Sequence, residues 1–149
     1  MNNRTYRFTR HNPTYPFGFG LSYSNFIYSE LEIEKPEIKK GDSVNINFEI
    51  HNDSNISGDE VIQVYLKNIN SDFRTPNSSL IYFKRMHFKA DEKKKVNITI
   101  NKDMMYSYDE QGKKRIEAGN FKIFVGGSSP GQISQALGKT IRETVFKVE

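Results

Sequence analysis

The chain has 149 residues, a length that fits one domain and needs no cross-links to bury a core. It contains no cysteine, which excludes disulfides and cysteine-ligated metal sites. Its formal charge of +4 comes from 22 basic and 18 acidic residues spread along the sequence. We therefore expect no nucleic-acid partner, because proteins that bind nucleic acid usually concentrate basic residues on one face.

The sequence begins with an irregular aromatic segment, residues 1–25, which we call the arm. Prolines and glycines interrupt it, and it shows no alternation of apolar and polar residues. Such a segment is poorly suited to a regular strand, because proline lacks a ladder donor and glycine permits unusual backbone angles. Two interpretations are open. The arm folds back over one end of the domain, or it docks on another domain through Tyr15, Phe17, Phe19, Leu21 and Tyr23.

Residues 26–149 are dominated by period-two alternation, the pattern of strands with one buried and one solvated face. The segment Glu60 to Leu66 is more continuously apolar and is predicted to be a central strand. The remaining predicted strands contain Leu31 and Ile33, Val44 to Ile50, Leu80 to Phe88, Val96 to Ile100, Phe121 to Val125, and Ile141 to Val148.

Turn residues separate these strands, as at Lys40-Gly41-Asp42 and Ala118-Gly119-Asn120. One helical turn is predicted near Met104, with Asp103 as its N-cap. Residues 126–140 are predicted to form a loop. About seven short strands at this spacing indicate an all-β, two-sheet sandwich.

The residues that usually carry chemistry are scattered along this chain. His11, His51 and His87 show no metal-ligand spacing, and the pairs Asp59-Glu60 and Asp109-Glu110 are predicted to lie at turns. We therefore predict no catalytic residue, no cofactor and no metal site. The chain has 19 Phe and Tyr residues in total but no Trp, and most of them fit the core pattern. Weak binding of an oligosaccharide is a further hypothesis, and no membrane partner is expected because no apolar run approaches about 20 residues.

An ordered set of motifs makes residues 4–149 similar to a known family. They are Tyr15 to Phe26, Lys39 to Asp42, Asn52 to Gly58, Asp59 to Tyr65, Phe83 to Arg85, Tyr108 to Gly112 and Gly119 to Ser129. Together they resemble the C-terminal fibronectin type III-like domain of glycoside hydrolase family 3. The chain departs from the family pattern at Tyr82, at Ala90-Asp91 and at Ala118-Gly119, which affects turns and one strand position. The segment Arg4 to Phe8 is most similar to the β-xylosidase branch.

The resemblance implies an immunoglobulin/fibronectin type III-like sandwich over residues 26–149, with the arm as an inter-domain linker and docking strip. It implies a parent enzyme that hydrolyses β-glucosides or β-xylosides with retention, using catalytic domains of the same polypeptide. We expect the 149-residue chain alone to have no such activity. The resemblance also implies a periplasmic or secreted bacterial protein. The alternative hypothesis is a free-standing immunoglobulin-like module that binds carbohydrate or protein.

Overall fold

The computed structural model describes residues 14–20, 22–69, 78–108 and 111–149. Predictions for the first half of the arm, for Leu21, and for Asp109 and Glu110 lie outside the described residues. The strands are β1 Phe26–Tyr28, β2 Glu32–Ile33, β3 Glu37–Ile38, β4 Val44–Asn52, β5 Gly58–Asn68, β6 Ser79–Phe88, β7 Lys93–Ile100, β8 Ser107–Tyr108, β9 Lys114–Arg115, β10 Gly119–Gly126 and β11 Ile141–Val148.

The strands form two facing sheets, as the alternation predicts. In the first sheet β4 pairs with β7 along its length, while β1 and β2 pair with successive parts of its other edge. The second sheet has five strands in the order β3-β11-β10-β5-β6. The short strands β8 and β9 make a separate hairpin. The all-β sandwich is confirmed, and β5 is a central strand because β10 and β6 flank it.

The core lies between the inner faces of these sheets. Every second residue of β4, from Val44 to Asn52, is buried, and the same pattern recurs in β7 and β10. The inner face of β5 contributes Ile62, Val64 and Leu66 to this core. The predicted assignment of buried and solvated faces in these strands is therefore confirmed.

A buried amide closes one end of the sandwich. Asn52 is fully buried, and its side-chain nitrogen donates to the carbonyls of Ile56 at 2.8 Å and Lys89 at 2.9 Å. Its side-chain oxygen accepts from Ser54 at 2.6 Å. Because buried polar groups are costly unless they are paired, these bonds fix the turn that leads from β4 to β5.

Four local predictions need correction. The helical turn is a 3-10 helix at Lys102–Met104 whose N-cap is Asn101 rather than Asp103, since the Asn101 side chain accepts from the Asp103 N–H. The predicted loop 126–140 contains a short helix, α1 Gln132–Ala136. Asp59 and Glu60 lie within β5 rather than at a turn. The strand around Leu31 and Ile33 shortens to the two residues of β2.

Candidate functional site

The described part of the arm is attached to the five-stranded sheet through its backbone. The Ser129 N–H donates to the Phe17 carbonyl at 2.8 Å, and the Phe19 N–H donates to the Pro16 carbonyl at 3.0 Å within a tight turn. Gly18 in that turn has a φ of 77°, which favours glycine. The side chain of Gln63 occupies the space where a Gly18 side chain would begin. The arm therefore crosses β5 at Gln63.

Beneath the arm, the outer face of β5 carries a buried polar pair. Gln63 and Tyr65 alternate with the core residues of β5, so they point away from the core, yet their exposed fractions are only 4% and 3%. The Gln63 amide donates to the Gly127 carbonyl at 3.0 Å, and the Tyr65 hydroxyl donates to the Gln63 side-chain oxygen at 2.7 Å. These bonds fix the side chain of Gln63, which is the support that the arm contacts.

The predicted docking side chains face mainly away from this support. Tyr15, Phe17 and Tyr23 are 63%, 50% and 96% exposed. Phe19 is partly buried; its ring stacks on that of Tyr15, with 5.5 Å between centroids, and the Lys139 ammonium lies 5.5 Å from its centroid. The backbone of the arm therefore lies along the sandwich, while three of its aromatic side chains remain exposed; their docking on another domain stays a prediction.

A cleft of about 220 Å³ opens between the arm and the segment that follows α1. Phe19 and Tyr23 line its arm side, Glu60 and Tyr28 come from the two sheets, and Lys139 lies on the opposite side. The lining also contains neutral polar side chains, the apolar side chains of Phe26 and Leu137, and three glycines; the polar ones are Ser22, Ser24, Asn25 and Thr140.

Glu60 is a largely buried acid in this cleft. It occupies the next inward-facing position of β5 beyond Ile62, so the alternation of the strand directs it toward the space between the sheets. Burial raises the pKa of Glu60, although the positive charge of Lys139 and a hydrogen bond from the Val61 N–H, 2.9 Å long, oppose that change. A Cβ placed on Gly127 would lie only 2.7 Å from a Glu60 carboxylate oxygen, so the carboxylate lies directly beside the backbone of Gly127.

Tyr28 contributes a buried hydroxyl group to the same region. Only 1% of the residue is exposed, and its hydroxyl has no hydrogen-bond partner within the described parts of the chain. Burial, and secondarily the negative charge of Glu60, raise the pKa of Tyr28 well above its ordinary value. A buried phenol without a partner is energetically costly, which marks this end of the sandwich as unusual.

The C-terminal cap of helix α1 determines the position of Lys139. Gly138 has a φ of 76°, its N–H donates to the Gln135 carbonyl at 3.0 Å, and the Lys139 N–H donates to the Ser134 carbonyl at 3.0 Å. These two bonds and the left-handed glycine form a Schellman motif, a common helix terminus. Buried hydroxyls anchor the helix, since Ser134 donates to the Ser129 carbonyl at 2.6 Å.

Sequence reasoning did not single out Tyr28, Glu60 or Lys139. A usable signal existed for Glu60, because it continues the row formed by Ile62 and Val64 and is the one ionisable residue of that row. No comparable signal identified Tyr28, whose alternation with Phe26 is that of an ordinary core residue. Lys139 required knowledge of the helix that precedes it.

Two of the histidines, His51 and His87, pair with acids at the surface. Asp59 accepts from His87 at 2.6 Å and from Arg85 at 2.7 Å, and these two hydrogen bonds lower the Asp59 pKa. His51 and Asp91 lie 2.7 Å apart at the end of β4. Within residues 14–20, 22–69, 78–108 and 111–149, no cluster of three or more metal-ligating side chains occurs. No helix in those same ranges is long and apolar enough to cross a membrane.

Comparison with known proteins places this fold in a defined group. Residues 60–129 match the family model described as fibronectin type III-like domain. The chain is 33% identical over 118 residues to thermostable beta-glucosidase B of Acetivibrio thermocellus, covering 78% of this chain and 16% of the relative. It is 31% identical over 137 residues to a beta-xylosidase of Formosa agariphila, covering 92% and 19%.

A solved structure shows the same arrangement of strands. The chain superposes on beta-glucosidase from Listeria innocua in complex with glucose with a TM-score of 0.81 and 30% identity, covering 98% of this chain and 20% of that one. The 149-residue chain therefore spans about a fifth or less of the length of these relatives.

Proposed function

Because the chain belongs through residues 60–129 to the fibronectin type III-like domain family, we propose that it is a non-catalytic accessory domain of a glycoside hydrolase family 3 enzyme. In this role residues 26–149 form the domain, and the arm packs against the catalytic domains of the same polypeptide. The observation that carries the proposal is the exposed aromatic surface of the arm, formed by Tyr15, Phe17 and Tyr23, which we call the docking strip.

The docking strip suits burial against another domain. Aromatic side chains each bury about 150–250 Å² in contacts of this kind, and soluble proteins rarely expose contiguous apolar patches that have no partner. The strip is carried on a backbone that Gln63 and Ser129 hold against the sheet. The backbone that carries Phe17 is therefore already ordered, which lowers the entropic cost of docking.

The parent enzyme is proposed to hydrolyse β-glucosides or β-xylosides with retention of configuration. The names of relatives that share about a fifth or less of their length with this chain support that substrate class. The catalytic groups would belong to the rest of the parent, so the 149-residue chain should not hydrolyse such substrates. A periplasmic or secreted location and weak contact with oligosaccharide are further parts of the proposal.

The alternative is a free-standing module that binds carbohydrate or protein. A free module would leave Tyr15, Phe17 and Tyr23 in water permanently, whereas an accessory domain buries them. Replacing the docking strip should therefore destabilise a larger polypeptide if the chain is an accessory domain, but not if it is a free-standing module.

The test compares the parent polypeptide with variants of this domain. Replacing Tyr15, Phe17 and Tyr23 together by serine should lower the melting temperature of the parent by much more than that of the separate 149-residue chain, and it should shorten the half-life of the parent. The control replaces Phe83 and Tyr108, which are 70% and 60% exposed elsewhere on the domain. Equal effects of both sets of substitutions on the parent would contradict the docking role.

A further inference from the structure

The cleft between the arm and the segment after α1 has the chemical character of a binding site. It contains one acid and one base, Glu60 and Lys139, among neutral hydroxyl and amide groups, and aromatic rings border it. Ligand sites commonly combine apolar walls with a few placed polar groups in this way.

Charge balance argues against a charged ligand. Lys139 already acts on Glu60 electrostatically and lowers its pKa against the effect of burial. An additional cation would meet the Lys139 ammonium, and an anion would meet the Glu60 carboxylate. The other polar lining side chains are uncharged donors and acceptors, which suit a neutral ligand with several hydroxyl groups; they are Ser22, Ser24, Asn25 and Thr140.

Tyr28 provides the second, independent observation. Its hydroxyl is buried and has no partner among the described residues, although Glu60 is close enough to affect it electrostatically. A ligand hydroxyl can accept a hydrogen bond from the phenol and donate one to the carboxylate, because a hydroxyl has both functions. Since the Tyr28 hydroxyl lies below the surface, a neighbouring side chain must move before the ligand can reach it.

The size of the cleft limits the ligand to a small molecule. Its volume of about 220 Å³ equals roughly seven water molecules at about 30 Å³ each, which is space for one sugar ring rather than a chain of them. Tyr23 at its border is an exposed aromatic residue that can pack on the C–H groups of such a ring, whereas the ring of Phe19 already contacts Tyr15 and Lys139.

We propose that this cleft binds a neutral monosaccharide unit through Glu60, Tyr28 and Lys139, with Tyr23 at its border. The proposal deepens the oligosaccharide contact suggested for this domain under its proposed function. Because Tyr23 also belongs to the docking strip, the site is tested in the separate chain, where Tyr23 is exposed.

The experiment is a titration of the ¹⁵N-labelled 149-residue chain with D-glucose and D-xylose, followed by amide chemical shifts. We expect saturable shifts near Glu60, Gly127 and Lys139, with a dissociation constant on the order of 1–10 mM. Sorbitol, an open-chain polyol, and methylguanidinium chloride, a cationic probe, should give no saturable shift.

Two variants test the assignment of the groups. Glu60→Gln and Tyr28→Phe should each weaken sugar binding at least about tenfold, a difference of about 1.4 kcal/mol, while Tyr108→Phe on the exposed β8 should bind like the unchanged chain. Tyr28→Phe decides the matter if Glu60→Gln does not fold. The proposal is overturned if neither sugar gives saturable shifts, if sorbitol or methylguanidinium binds as well, or if Tyr28→Phe binds like the unchanged chain. If the arm does not dock in the parent but the separate chain still binds sugar, the docking role is refuted and the sugar site is not.

Discussion

Gly18 of the arm lies directly on the side-chain amide of Gln63 in the central strand β5. Gln63 cannot move away easily, because it donates to the Gly127 carbonyl and accepts from the Tyr65 hydroxyl. The contact therefore fixes the distance between the arm and the five-stranded sheet. It also explains why a glycine is needed there, since the backbone of Gly18 has a φ of 77° and a side chain would collide with Gln63.

The first prediction follows from this contact. Gly18→Ala should lower the free energy of unfolding by about 1–2 kcal/mol, because alanine is strained at positive φ and its Cβ meets Gln63. Gly20→Ala is the matched control, since nothing lies within 4 Å of a Cβ at that position. Urea denaturation of the two variants measures the difference. Equal stabilities would show that the arm does not rest on Gln63.

The second prediction concerns the core. Phe48→Ala should lower the free energy of unfolding by about 3–5 kcal/mol, because Phe48 is 5% exposed and its ring lies 6.1 Å from that of Tyr28. Phe83→Ala should stay within about 0.5 kcal/mol of the unchanged chain, since Phe83 is 70% exposed. Denaturation monitored by circular dichroism provides the values. A small effect at Phe48 would mean that the register of β4 is inverted.

The third prediction concerns the unpaired phenol. Tyr28→Phe should leave the unliganded chain equally stable or raise its free energy of unfolding by about 1 kcal/mol, because it removes a buried polar group without a partner. Tyr108→Phe, at an exposed position, should change stability by less than about 0.5 kcal/mol. Thermal unfolding compares both variants. A loss above about 1 kcal/mol in Tyr28→Phe would reveal a hydrogen-bond partner of the hydroxyl.

The fourth prediction uses two neighbouring acids whose pKa values change in opposite directions. Burial raises the pKa of Glu60 from its ordinary value of 4.5, so stability falls as the pH rises above 4.5, and the loss is complete once the pH exceeds the folded-state pKa. Hydrogen bonds from His87 and Arg85 lower the pKa of Asp59 from 3.8, so ionised Asp59 contributes stability that is lost as the pH falls through its folded-state pKa.

Substituting these two neighbouring acids should therefore change the free energy of unfolding in opposite directions. Glu60→Gln should be more stable than the unchanged chain at pH 7, and the difference should vanish below about pH 4.5. Asp59→Asn should be less stable at pH 7, and its difference should shrink below about pH 3.8. Denaturation across pH 3 to 8 at constant ionic strength tests both. Differences of the same sign at pH 7 would contradict the assignment.

The sheets could be predicted from the sequence because alternation is a local signal. Val44 to Ile50, Phe121 to Val125 and Ile141 to Val148 each contain enough alternating residues to define a buried face without knowledge of their neighbours. The predicted N-cap of the 3-10 helix was wrong because Asn101 and Asp103 are both good N-cap residues. Only the direction of the chain after Ile100 distinguishes them.

The cleft could not be predicted because it depends on contacts between distant segments. Glu60 and Tyr28 belong to different sheets, and Lys139 reaches the cleft through the cap of a helix only five residues long. Glu60 was interpreted as a turn residue because it stands beside Gly58 and Asp59, although β5 already includes all three. The docking side chains were identified by composition, and their burial in the parent stays a prediction.

The most direct test of the accessory role is amide hydrogen exchange of residues 14–25, measured in the 149-residue chain and in the parent polypeptide. If the docking strip packs on the catalytic domains, amides at Tyr15 and Tyr23 should exchange faster in the separate chain than in the parent. Equal and strong protection of these amides in a monomeric separate chain would contradict the account and make the arm part of the core of this domain.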